Sequence, residues 1–112
     1  VARAAVMTKN EITIICAGTR EHFSLEDFLA AGLIVDQLGN CGGFTMRDGA
    51  LVARDYYHLH QDDTTAALKA SFHGRQLIEL GFGADIDCCS QEGLVDIVPV
   101  YKGGIIRRLE LS

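Results

Sequence analysis

One stretch constrains the chain more than any other: Ile12-Thr13-Ile14-Ile15-Cys16-Ala17-Gly18-Thr19-Arg20-Glu21-His22-Phe23-Ser24-Leu25-Glu26-Asp27-Phe28-Leu29-Ala30-Ala31-Gly32. Ile12 to Cys16 is a short apolar run rich in β-branched residues, the pattern of a strand covered on both faces. Gly18 breaks it. Ser24 is a good helix N-cap, Asp27 stands where a capping box would answer it, and Phe23 and Phe28 occupy the two positions of a hydrophobic staple. The segment therefore reads as strand, polar loop and capped helix. In α/β folds the loop between a strand's carboxyl end and a helix N-terminus is where ligands bind, because unpaired helix N–H groups there favour anions.

The remaining elements follow from periodicity. Val1 to Met7 reads as the end of a helix whose beginning is missing, so the chain, which opens without Met, is expected to be a C-terminal piece of a longer protein. Lys9-Asn10 is a turn and Glu11 to Ala17 the strand. Leu25 to Leu38 is a helix with Phe28, Leu29, Gly32, Val35 and Leu38 at helical spacing, stopped by Gly39-Asn40. Asp48 to His60 is a second helix with Leu51, Val52, Tyr56 and Leu59 on one face. Asp62-Asp63-Thr64 caps Thr65 to Ala70, and Ser71 caps a further helix that ends at a C′ glycine, Gly81, followed by Phe82. Ala84 to Ser90 is a last helical piece. Leu94 to Tyr101 and Ile105 to Leu111 form a hairpin around Lys102-Gly103-Gly104, with Pro99 marking an edge or a bulge. The expected class is α/β, with too few strands for an independent sheet.

A chain of 112 residues, 48% of them hydrophobic and 22% charged, has room for one small globular domain. A net charge of -5 argues against non-specific nucleic-acid binding, and there is no basic patch with interleaved aromatics, so no nucleic-acid partner is expected. No apolar run reaches the ~18 residues of a membrane helix, and no signal-peptide pattern is seen. Cys16, Cys41, Cys88 and Cys89 match neither a disulfide framework nor zinc spacing. They read as reduced thiols of a cytoplasmic protein, several buried as small hydrophobes. Cys16 beside a helix N-terminus could be a nucleophile, but Cys16-Ala17-Gly18 lacks the amide cradle and the Arg of a cysteine phosphatase loop.

Two clusters carry chemistry. Glu26-Asp27 places two carboxylates in a first helical turn. They suit the macrodipole there, and they also suit Mg²⁺, which takes one or two carboxylates and keeps waters and phosphate oxygens. Ser71-Phe72-His73-Gly74-Arg75 brings a hydroxyl, an imidazole, a glycine and a guanidinium to a helix start, which is either an ordinary cap or an anion site. His58 and His60, two apart, face different sides of a helix and cannot form an i, i+4 metal pair. Asp85 and Asp87 read as helix-terminus acids. Spacing alone thus points to an anion- or metal-binding α/β domain.

Cys16-Ala17-Gly18 followed by Phe23-Ser24-Leu25-Glu26-Asp27-Phe28-Leu29-Ala30-Ala31-Gly32 resembles the C-terminal half of the 2-phosphosulfolactate phosphatase (ComB-like) family. So do Ser71-Phe72-His73-Gly74-Arg75-Gln76-Leu77-Ile78-Glu79-Leu80-Gly81-Phe82 with Asp85-Ile86, the closing Asp96-Ile97-Val98-Pro99, and Asp48 ahead of its helix. The resemblance covers nearly the whole chain, residues 1–112 being the C-terminal portion of such a domain without its N-terminal half. It implies a three-layer α/β/α arrangement, here a partial unit, and a Mg²⁺-dependent phosphatase that converts 2-phospho-3-sulfolactate to 3-sulfolactate and phosphate. Glu26 and Asp27 are then the expected metal ligands. Asp27 and His73 are the expected catalytic residues, and Gly18, Thr19, Ser71, Gly74 and Arg75 the expected contacts of a small anionic substrate. A homo-oligomer, direct water attack and a covalent phosphoenzyme all stay open. So do two rival readings: a non-catalytic half-domain that needs a partner chain, and a phosphomonoesterase of different substrate on the same fold.

Overall fold

The architecture comes from a computed structural model, and the structure describes residues 1–110. In chain order the elements are α1 (Ala2–Met7), α2 (Leu25–Cys41), α3 (Asp48–His60), α4 (Thr64–Ala70), α5 (Phe72–Glu79), α6 (Gly83–Cys89), β1 (Pro99–Lys102) and β2 (Ile105–Arg108). Helices with one small antiparallel sheet make this a partial α/β unit.

The strand expected over Glu11 to Ala17 is absent as a strand. The backbone there joins no ladder among the described residues, and Ile15 is 87% exposed. Ile12 and Ile14 are half-buried, Cys16 exposed. β-branched residues favour extended backbone, but a strand is completed by a non-local hydrogen-bonding partner. The described residues offer none; the sheet is the hairpin β1–β2 alone. The accessible surface, 8564 Å², correspondingly exceeds the roughly 6,100 Å² of a compact monomer of this mass.

The hairpin is shorter than expected. Its register pairs Pro99 with Arg108 and Lys102 with Ile105, and Leu109 N–H donates to the Val98 carbonyl at 2.7 Å. The remainder of Leu94 to Val98 is not strand, and Leu111, the expected end, lies outside the described residues. Gly103 and Gly104 have φ of 61° and 81°, the two positive values that a two-residue type I′ turn requires. Pro99, with no N–H to give to a ladder, heads the strand.

The core lies between α2 and α3. Leu29, Tyr57 and Ala67 form its centre, with Leu33, Tyr56 and Leu68 packed against it. A Cβ at Gly32 would sit 2.1 Å from the Ala53 carbonyl oxygen and 2.8 Å from Tyr57 Cβ, so the two helices meet backbone to backbone. That contact selects the inward face of α3. Ala53 and Tyr57 are buried, whereas Leu51, Val52 and Leu59, expected inside, are exposed. A bulky aliphatic at the crossing would hold the helices apart, and the small residue wins. The end of α2 also differs from expectation. Asn40 donates from Nδ2 to Asp36 Oδ2 one turn back, at 3.5 Å, so the helix runs on to Cys41 and breaks at Gly42, with φ 75°.

The short helices behave as their caps dictate. Asp63 Oδ1 accepts from Ala66 N–H at 2.9 Å at the start of α4. Gly81, at φ 86°, ends α5 in a Schellman motif: Phe82 N–H donates to the Leu77 carbonyl at 2.8 Å and Gly81 N–H to that of Ile78 at 3.0 Å. α6 is held to α4 by Thr65 and Ser90, whose hydroxyls are 2.6 Å apart, and by Lys69 and Asp87 at 2.6 Å. The four cysteines are free, as expected, but all are exposed rather than buried.

Two measurements check this packing. Gly32→Ala should cost about 1–3 kcal/mol in urea unfolding through overpacking, whereas Gly49→Ala, on α3 with open space around it, should be neutral or slightly stabilising. In hydrogen exchange the amides of Thr13 to Ala17 should exchange far faster than those of Leu29 to Leu38; equal protection would contradict the unpaired segment.

Candidate active site

Gly18 opens the loop ahead of α2. Its φ is 74°, and a Cβ there would lie 2.6 Å from the His22 carbonyl oxygen. Thr19 and His22 exchange backbone hydrogen bonds of 2.9 and 3.0 Å. Arg20 and Glu21, at the tip, have φ of 49° and 65°. Side chains in that left-handed region cost on the order of 1–2 kcal/mol each, so the turn is held against its own preference. The holding contact is Asp27, whose Oδ2 accepts from Gly18 N–H at 2.7 Å.

Asp27 therefore does not close a capping box with Ser24, which makes no side-chain cap bond. The buried Ser24 hydroxyl instead donates to Glu26 Oε2 at 2.6 Å. The staple does form: the Phe23 and Phe28 rings meet edge-on with centroids 5.3 Å apart.

Ser71, 1% exposed, is the most buried polar residue near the cleft. Its Oγ accepts from Gly74 N–H at 2.9 Å and so caps α5. Its single proton is within reach of the Leu68 carbonyl at 2.7 Å and of Glu26 Oε1 at 3.1 Å. His73 Nδ1 lies 3.3 Å from the same Oε1. A Cβ at Gly74 would sit 1.9 Å from the Leu68 carbonyl oxygen, so glycine is what lets α5 turn this tightly against α4. The starts of α2 and α5, 45 residues apart in sequence, thereby converge on one carboxylate.

That carboxylate is anionic. Burial pushes the Glu26 pKa up and is the largest influence. The Ser24 hydroxyl, its own backbone N–H, the Ser71 hydroxyl and the His73 charge together outweigh it, so the pKa lies below the ordinary 4.5. Burial, followed by the Glu26 charge, raises the pKa of Tyr56. Burial, then the charge and hydrogen bond of Glu92 and the charge of Asp36, raises that of Tyr57.

Glu26, His73 and Gly74 line a cleft of about 270 Å³ whose walls are largely apolar, including Leu29, Leu33, Leu68 and Ile86. Of the expected site residues, Glu26, Ser71, His73 and Gly74 come together here, while Asp27, in the first turn of α2, ties back to Gly18 of the preceding loop, which also holds Thr19. Arg75 stands apart: its Nη1 donates to the Ala70 carbonyl at 2.9 Å, which serves the C-terminus of α4. Asp85, expected only as a helix-terminus acid, is in the first turn of α6 and also lines the cleft. Tyr57 and Glu92, joined at 3.2 Å, line it too. Neither carries a local sequence signal, because their pairing spans 35 residues.

Among the described residues no three His, Cys, Asp or Glu side chains converge as a metal cage. Mg²⁺ asks for less, one or two carboxylates with water and substrate oxygens. Both Glu26 oxygens already have donors. Asp27 commits Oδ2 to Gly18, while its other carboxylate oxygen stays outside any hydrogen bond among the described residues, which is compatible with a Mg²⁺ ligand.

Residues 1–104 match the family model described as 2-phosphosulpholactate phosphatase. Among curated proteins, the chain is 40% identical over 98 residues to a probable 2-phosphosulfolactate phosphatase of Thermotoga maritima, covering 88% of this chain and 42% of that protein. It is 34% identical over 107 residues to a protein of the same description from Clostridium tetani, covering 96% and 45%. The chain spans less than half the length of these relatives.

The Glu26 carboxylate sets an acid limb of stability. A lowered pKa means its contribution is fully present above about pH 4.5 and is lost as pH falls through the lowered value. Glu26→Gln should therefore lose less stability than the parent chain between about pH 5 and 3. Thermal melts across that range check it, and parallel curves would show Glu26 unpaired.

Proposed function

Because the chain belongs to the 2-phosphosulpholactate phosphatase family, we propose that it is the part of a Mg²⁺-dependent phosphatase that binds 2-phospho-3-sulfolactate and helps hydrolyse it to 3-sulfolactate and phosphate. The observation that carries this reading is the convergence of two helix starts on Glu26, with Ser71 and His73 gathered at one cleft. An enzyme acting on a small polyanionic ester needs preorganised donors and a water-poor pocket, and the apolar walls beside that polar rim supply such a setting.

The groups divide their work. Asp27 would hold Mg²⁺, with Glu26 beside it; when bound, the ion supplies charge neutralisation of the phosphate. The N–H groups of Gly18, Thr19 and Gly74 are spent inside the protein, so those amides shape the site rather than meet the anion. Phe72 and His73 N–H, in the first turn of α5, remain to meet an anionic oxygen. His73 sits where an imidazole can handle a proton of the reaction. Free thiols on the surface suit a reducing, cytoplasmic setting. The segment 11–17, which joins no ladder among the described residues, together with relatives more than twice as long, supports an active unit that includes more polypeptide than these 112 residues.

The test is phosphate release by the full-length protein from 2-phospho-3-sulfolactate against a panel of other phosphomonoesters, with and without Mg²⁺. Hydrolysis should be selective for the sulfolactate ester and should stop on chelation. His73→Ala should lower kcat by about 10²–10⁴-fold, and Asp27→Asn should weaken Mg²⁺ dependence by about 10–100-fold. Preference for another ester would leave the phosphatase and reassign its substrate; no hydrolysis of any ester would favour a binding module.

A further inference from the structure

The Glu26 carboxylate is met from three directions. Oε2 takes the Ser24 hydroxyl at 2.6 Å, Oε1 lies 3.1 Å from the Ser71 hydroxyl, whose one proton it shares with the Leu68 carbonyl at 2.7 Å, and the same Oε1 lies 3.3 Å from His73 Nδ1. Ser24 and Ser71 are both buried, and each is fixed by its own helix start. Phe28 N–H donates to the Ser24 carbonyl at 3.2 Å, and Gly74 N–H to Ser71 Oγ at 2.9 Å. The carboxylate thus lies between two buried hydroxyls and beside one nitrogen of one imidazole.

We propose that Glu26 is the positioning residue of His73. Its carboxylate holds the proton on Nδ1 and fixes the ring, leaving Nε2, which makes no hydrogen bond among the described residues, as the atom that serves the reaction. This deepens the phosphatase reading and rests on it. An imidazole oriented through one nitrogen by a buttressed carboxylate is a recurring way to set tautomer and aim. A separation of 3.3 Å in a ligand-free site is within the looseness such contacts show before substrate tightens them. In the hydrolysis, a water oxygen bonds to phosphorus while the ester P–O bond breaks and its electron pair leaves with the alkoxide. Nε2 takes the proton that the water loses and later releases it to solvent, while the alkoxide on the opposite side takes a proton from solvent, so the ring ends as it began. Ser24 and Ser71 act one step further out, by keeping Glu26 in place.

The alternative role for Glu26 is a structural tie between α2 and α5, and the two roles part on the ring itself. Long-range ¹H–¹⁵N spectra of histidine-labelled chain near neutral pH should show His73 as the Nδ1–H tautomer. Glu26→Gln should shift that population towards Nε2–H, and Glu26→Asp should retain part of it. In the full-length protein Glu26→Gln should lower kcat by about tenfold or more with KM within about threefold, and Glu26→Asp should recover part of the loss. A His73 that is Nε2–H in the parent, or unmoved by Glu26→Gln in a chain with an unchanged circular dichroism spectrum, would overturn the proposal. So would a tautomer shift with kcat intact. If the parent hydrolyses no phosphomonoester while the tautomer still answers to Glu26, the phosphatase reading fails and the Glu26–His73 arrangement stands apart from it.

Discussion

The Ser71 hydroxyl is the joint on which the site depends. It is almost wholly buried, caps α5 through Gly74 N–H, touches the last turn of α4 through the Leu68 carbonyl, and reaches the first turn of α2 through Glu26. A buried hydroxyl is costly unless its hydrogen bonds are made, so each bond constrains the other elements. Gly74 is part of the same constraint, because any side chain there would collide with the Leu68 carbonyl. The result is two helix starts brought together at a fixed angle, with the carboxylate of one facing the imidazole of the other.

Beneath that joint lies the close crossing of α2 and α3. Gly32 against Ala53 lets the backbones touch and brings Leu29 against Tyr57. Tyr57 in turn extends its hydroxyl to Glu92, on the chain that follows α6. One apolar contact therefore shapes both the floor of the cleft and part of its wall. The loop 18–22 is the strained counterpart: Arg20 and Glu21 are kept at positive φ by the backbone pair of Thr19 and His22 and by the tie from Gly18 to Asp27. Strain of that kind persists where surrounding contacts over-determine it, as they do at sites.

Features carried by neighbours in the chain were legible beforehand. The Phe23–Phe28 staple, the Asp63 and Ser71 caps, the Schellman turn at Gly81 and the two-glycine hairpin all formed as their residues imply. Each is a contact over a few residues, where local stereochemistry dominates. The face of α3 was misjudged because hydropathy counts Leu51 and Leu59 as the natural interior, while the fit to Gly32 calls for Ala53. The Ser24–Asp27 box failed for a related reason: both side chains had better partners, Glu26 for one and Gly18 N–H for the other.

The sequence by itself determined the helices and their ends, the hairpin turn, the acidic start of α2, the Ser71-Phe72-His73-Gly74 opening of α5 and, through those motifs, the family. These rest on backbone preference and capping, which act within a turn or two. Only the tertiary structure decided which side of α3 faces inward, that Ile12 to Cys16 joins no ladder among the described residues, that Glu26 rather than Asp27 meets His73, and that Arg75 turns away from the cleft. Those outcomes hang on distances between residues tens of positions apart. They are set by how closely two helices approach and by which donor reaches a carboxylate first, and no local pattern encodes either.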